Sequence, residues 1–179
     1  ELVKDKGYEI LYLTENVDEF ALKVLHEFEG KEFKSVSAGD LGFEETEEEK
    51  KEDEAQEKES QALFAFMGEA LSGKVKAVRA PKRLKSHPVC LSSDGELSLE
   101  MEKVLNAMPP DEKVKAERVL ETNESHPIFA TLTRLYETDQ ETLKEYATLL
   151  YKQALLIEGF PIEDSVAYSN LVCSLMADQ

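Results

Sequence analysis

The chain has 179 residues, with 38 Asp and Glu against 21 Lys and Arg, a formal charge of −17. At 41% hydrophobic and 33% charged it reads as a soluble globular chain of one large domain or one and a half small ones, long enough to bury roughly 70% of its unfolded surface without disulfide or metal staples. The acidic excess argues against nucleic-acid binding, no apolar run reaches the about 18 residues of a membrane span, and no signal peptide opens the chain.

Cys90 and Cys173 form no disulfide framework, so a reducing cytoplasmic setting is expected. A start at Glu1 without Met points to a fragment or a processed piece. Residues 8–13, aromatic and aliphatic, predict a buried strand. Residues 16–29 carry Val17, Phe20, Ala21, Val24, Leu25 and Phe28 on one helical face, with Gly30 as the stop. A strand over 31–37, around Phe33 and Val36, would complete a small β-α-β unit near Gly39. Residues 44–59 hold ten acids and three lysines. They predict an acidic linker grading into a helix. That helix is supported by Ala62, Leu63, Phe66, Met67, Ala70 and Leu71 and closed by Gly73.

Residues 74–80 alternate apolar and basic residues and predict a half-exposed strand; Pro88 to Leu91 predicts a second. Six cations and no acids lie between Ala70 and Ser93. They are read as a solubilised sheet edge, because the aromatic residues of a nucleic-acid platform are missing. Residues 96–108 predict a helix with Leu97, Met101, Val104, Leu105 and Met108 on one face, capped by Ser93 and Glu96 and stopped by Pro109-Pro110. By pattern alone this face packs on the strands at 74–91; the competing reading is an adaptable apolar surface for partners. Residues 117–122 give a third strand, and a short helix runs from His126-Pro127 to about Tyr136.

The last third has the strongest periodicity. Thr138 to Glu141 has capping-box spacing. Leu143, Ala147, Leu150, Ala154 and Ile157 then form one stripe, and Tyr146, Leu149, Gln153 and Leu156 a second beside it. Gly159 ends this helix, and Asp164 can cap a final one carrying Val166, Tyr168, Leu171, Val172, Leu175 and Met176. Two apolar helices joined by a turn are half of a four-helix bundle. A second copy of the chain can supply the other half. The fold class expected is therefore α+β: a small β-α-β unit, then a mixed domain with a three-stranded sheet and a helical pair that forms a four-helix bundle across a dimer.

Positive evidence for catalysis is missing. His26, His87 and His126 are dispersed, no cysteine has a metal-ligand partner at close spacing, and no phosphate-binding glycine loop or nucleophile elbow occurs. No catalytic, cofactor-binding or metal-binding residue is assigned, and the chain is read as no enzyme in itself.

Four separated stretches carry a resemblance. They are residues 3–20 with Glu-Phe-Glu-Gly-Lys at 27–31, Leu-Ser-Ser-Asp-Gly-Glu-Leu-Ser-Leu-Glu-Met-Glu at 91–102, Arg-Val-Leu-Glu-Thr-Asn-Glu-Ser-His-Pro-Ile-Phe at 118–129, and Ala-Leu-Leu-Ile-Glu-Gly-Phe-Pro-Ile-Glu-Asp at 154–164. Together they closely resemble the ninety-kilodalton heat-shock chaperones, in their bacterial, HtpG-type branch. The departures are at Glu15-Asn16, Glu124 and Ser165, where the family carries prolines, and the chain ends without the tail that recruits cochaperones to eukaryotic cytosolic members.

The resemblance implies that residues 1–40 end the middle domain, 41–60 form an acidic linker or helix start, and 61–179 form the C-terminal dimerisation domain. It implies a homodimer that binds unfolded client proteins, with no nucleic acid or membrane as partner, inside a longer ATPase whose ATP and magnesium are held elsewhere. By the same resemblance Glu19, Phe20, Leu97, Met101 and Leu105 contact clients. With the helical pattern, it gives Leu143, Tyr146, Leu149, Leu150, Ala154, Ile157, Tyr168, Leu171, Val172 and Leu175 as the dimer seam. The alternatives are a stand-alone acidic adaptor for partner helices and an enzyme with an unrecognised site.

Overall fold

A computed structural model describes residues 7–15, 17–34, 60–80, 86–95, 97–107 and 113–177. The expected acidic joint at 44–59 lies outside the described residues, as do Val36, Glu96 and Met108. Among those described, six helices and five strands make a mixed α+β fold, as the periodicities indicate.

The N-terminal segment departs most from expectation. Helix α1 spans Asp18–Leu25, and strands β1 (Glu27–Phe28) and β2 (Lys31–Glu32) follow as an antiparallel hairpin. Gly30 does not cap the helix. His26, at φ 57°, ends it, and Glu29 and Gly30, at φ 50° and 75°, are the two central residues of the hairpin turn. A two-residue turn with both φ values positive is the hairpin geometry that matches strand twist, and glycine adopts it freely. The expected β-α-β unit is thus a helix and hairpin over these residues. Residues 8–13 form no strand, and Tyr12 is 74% exposed. A strand needs an edge to pair with, and among the described residues 8–13 pair with none of the five strands.

The larger part is built round a three-stranded sheet in the order β3 (Ala77–Arg79), β5 (Arg118–Thr122), β4 (Val89–Ser93). Central β5 runs parallel to β3 and antiparallel to β4, with Leu120 opposite both Val78 and Leu91. That row, with Val89, faces the core. The other sheet face carries Arg79, Cys90, Ser92, Val119 and Glu121. Residues 60–70 form α2, which inserts Leu63, Phe64 and Met67 into the core, with Leu71 just beyond it. Helix α3 is Leu99–Ala107, α4 is Ile128–Thr138, α5 is Gln140–Ile157 and α6 is Ser165–Ala177.

Helix α5 is the centre of the fold. It buries Leu143, Tyr146, Ala147, Leu150, Tyr151, Ala154 and Leu155, and it packs on β4, α4 and α6. Its two stripes are therefore covered largely within the chain, and only their ends, at Ile157 and Leu156, stay open. The caps differ from the spacing-based expectation. Asp139, not Thr138, caps α5: its carboxylate accepts from the Thr142 amide at 3.1 Å and the Thr142 hydroxyl at 2.7 Å. Thr138 turns back to the Arg134 carbonyl. Ser93 lies in β4, and Ser98 caps α3 through the Met101 amide. Asp164 caps α6 through the Ala167 amide, as expected.

The hydroxyl and amide of Thr142 hold the Asp139 carboxyl below its ordinary value of 3.8. A lowered folded-state pKa stabilises the fold at all pH above the unfolded value, and that contribution fades as pH falls through the folded value. Asp139→Ala should therefore lower the melting temperature at neutral pH. The gap from the parent chain should narrow as the medium is acidified below that value. Thermal melts across that range check it, and a pH-independent gap would mean the carboxylate is no cap.

Candidate functional site

Helix α3 has nine residues, too short to persist alone in water, and two consecutive side chains fix it. Glu102 is 4% exposed. One carboxylate oxygen pairs with the Arg118 guanidinium and the other accepts from the Ala116 amide at 2.9 Å. Arg118 also donates to the Tyr151 hydroxyl at 3.1 Å and lies 4.5 Å from the centre of the Phe160 ring. Lys103 donates to the Glu158 carbonyl at 2.7 Å and sits 5.2 Å from the same ring centre. Two cations therefore grip Phe160, in the turn between α5 and α6, and tie α3 to β5 and to that turn. A second buried carboxylate, Glu121 in β5, accepts from Ser92 at 2.8 Å and Arg79 at 3.1 Å on the other sheet face.

The core side of α3 is thus Leu99 and Glu102. Met101 lies about 160° and Leu105 about 120° round the helix from Leu99. Leu97, Met101 and Leu105 are half-buried, and of the three only Leu97 packs against the core cluster. The expected packing of this apolar face on the strands is not what holds the helix. Glu19 and Phe20 of α1 are also half-buried. Glu19 accepts a hydrogen bond from Ser98 at 2.5 Å, and Lys23 approaches the Met101 sulfur at 2.7 Å. The two sets proposed from sequence, Glu19 in one and Met101 in the other, therefore meet at the first turn of α3.

The seam residues divide. Leu143, Tyr146, Leu150, Ala154 and Leu175 are buried inside the single chain, Leu149, Tyr168, Leu171 and Val172 are half-buried, and Ile157 is exposed. Helix α6 spreads its apolar residues round its axis, with Ser165, Ser169, Asn170 and Ser174 among them, yet it buries only Leu175 and leaves Val166 and Met176 about 70% open. Between α4, α5 and α6 lies a polar cleft of about 620 Å³ lined by Thr131, Arg134, Thr138, Thr142 and Tyr146 among others. Among the described residues no group of three His, Cys, Asp or Glu could hold a metal ion, and no helix is long and apolar enough to cross a membrane.

Sequence reasoning missed Glu102, Arg118 and Phe160. The available signal was an acid three residues after Leu99, on the same helical face, and a lone aromatic between two helices.

Open apolar residues on helices, here Leu156, Ile157, Val166 and Met176, suit contact with other protein where they join into a patch. The family model described as Hsp90 protein matches residues 1–179. The chaperone protein HtpG of Clostridium acetobutylicum is 59% identical over 176 residues, 98% of this chain and 28% of that protein. The HtpG of Bacillus subtilis is 57% identical over 176 residues, with the same shares covered, and that of Halalkalibacterium halodurans 57% over 177 residues, 99% and 28%. The chain belongs to the Hsp90 family, and it spans about 28% of the length of these relatives.

Breaking the buried pair from one side should be costly. Arg118→Met strands the Glu102 carboxylate and should lower stability by about 3–5 kcal/mol. Adding Glu102→Met should recover most of that loss. Urea denaturation of the two single variants and the double variant measures it, and additive losses would mean the two side chains are independent.

Proposed function

We propose that these residues are the dimerisation and client-binding part of an Hsp90-family chaperone. The observation that carries the reading is α6. A helix whose apolar residues point to several sides is normally covered on more than one of them, and here one residue, Leu175, is buried while Val166 and Met176 stay open. A second copy of the chain covers it, through a four-helix bundle of α5 and α6 from each protomer. In this reading Leu149, Ile157, Tyr168, Leu171 and Val172 meet the partner, while Leu143, Tyr146, Leu150, Ala154 and Leu175 support the seam from inside each chain. Residues 1–40 end the middle domain, 41–60 link, and 61–179 dimerise. The exposed Tyr8, Leu11 and Tyr12 suit a segment whose packing partners belong to the longer protein. ATP and magnesium are handled by that longer protein, in the cytoplasm, and no residue here is catalytic. The excess of acids leaves nucleic acid and anionic membrane out as partners.

Client contact falls to the outer face of α3 with Glu19 and Phe20. Met101 and the leucines beside it offer adaptable apolar area, and a dimer presents it twice, so weak contacts add by effective concentration.

Two measurements test the reading. Ile157 is 54% exposed, so Ile157→Glu should leave the protomer folded but make it monomeric, since burying an unpaired carboxylate costs several kcal/mol. Sedimentation equilibrium decides, and an unchanged dimer would move the seam elsewhere. Leu150→Glu is the poorer probe, because Leu150 is 4% exposed in the single chain and the change would strike the core. Met101→Ala should weaken binding of an unfolded apolar protein by about 1 kcal/mol with little change in melting temperature. A large fall in melting temperature with client affinity intact would make this a packing face.

A further inference from the structure

Helix α1 buries none of its residues, and Val24 and Leu25 on it are 81% and 52% exposed. Phe20 and Leu22 are half-buried, and among the described residues the hydrogen bonds that reach α3 come from polar groups. The Ser98 hydroxyl donates to Glu19 while accepting from the Met101 amide, so one group both caps α3 and receives α1. Lys23 pairs with Glu19 at 3.8 Å, one helical turn away, and its ammonium lies on the Met101 sulfur at 2.7 Å. Helix α3 itself is held from its opposite side by Glu102 and Lys103. Helix α1 can therefore leave without displacing it.

We propose that α1 is a reversible cover on the outer face of α3, latched by Ser98, Glu19 and Lys23. Closed, it engages Glu19 with Ser98 and withdraws Met101 from partners; open, it presents both Glu19 and Met101. The latch is built to yield. Its charges are partly exposed, with Glu19 at 18% and Lys23 at 45%. The Lys23–Glu19 pair lies within α1, so what crosses to α3 is the Ser98–Glu19 hydrogen bond and the Lys23–Met101 contact, and single contacts of this kind contribute only modestly each. The regulatory part of this proposal rests on the client-binding reading above; the cover itself does not.

The chain carries its own probes. Met176 is 72% exposed and Met67 is fully buried, so both calibrate Met101 during oxidation of the thioethers to sulfoxides by dilute hydrogen peroxide. In the unaltered protein Met101 should oxidise at an intermediate rate. Lys23→Ala and Glu19→Ala should each speed Met101 about two- to fivefold, with Met67 and Met176 unchanged. An unchanged Met101 rate, or an increase that Met67 shares, overturns the cover, since the first shows no latch and the second shows general unfolding. Binding of an unfolded apolar protein to Lys23→Ala is measured alongside. Tighter binding ties the cover to client access. Faster oxidation with no binding by either form leaves the cover standing and rejects the client-binding reading instead.

Discussion

The Glu102–Arg118 pair fixes where everything on the working side of the molecule lies. Two charges are withdrawn from water almost completely, a state tolerated only when each finds a partner and its remaining hydrogen bonds are met. Here the Ala116 amide, the Tyr151 hydroxyl and the Phe160 ring complete the set. Those partners belong to β5, its approach, α5 and the α5–α6 turn, so one polar knot joins four parts of the chain. A hydrophobic contact could have held α3 in place, but it would have tolerated rotation of the helix. The carboxylate and guanidinium demand one orientation. That orientation sends Met101 and Leu105 away from the sheet.

Burial across the helices is uneven, and the unevenness has functional content. Helix α5 spends most of its apolar surface inside the chain, between the sheet, α4 and α6. Helix α6 fully buries only Leu175, with Tyr168, Leu171 and Val172 half-buried, although its sequence is the more apolar of the two. Water contact at Val166 and Met176 is a standing cost that a partner surface would remove. Helix α1 and the residues before it repeat the pattern at the other end, with Tyr12 and Val24 bare. The chain spans about 28% of the length of the relatives it matches.

The contact between α1 and α3 belongs to a different energetic class. The knot round Arg118 is buried and directional, whereas the Glu19–Ser98–Lys23 contact is wet and cheap to break. Two helices that meet through such groups can part and rejoin without disturbing either one, which is the property a cover requires.

Several elements were legible in the residues alone. The long helix over Gln140–Ile157, the strand at Arg118–Thr122 and the Asp164 cap follow from periodicity and local hydrogen bonding, which act within a few residues. The family resemblance was legible too, because four long motifs stand in order. Other features needed the tertiary structure. Gly30 suits a helix stop and a hairpin turn equally well, and pairing between Glu27 and Glu32 decides between them. The stripe of Leu143, Leu150 and Ala154 looks the same whether a sheet or a second chain covers it; only the position of β4 and α4 assigns it to the interior. Met101 and Leu99 are both apolar, and the buried charge of Glu102, which no pattern of apolar residues reports, selects which of them faces the core. Sequence determined which residues seek burial and in what local form. Tertiary structure alone decided what they are buried against, because that depends on chain segments brought together from far apart in sequence.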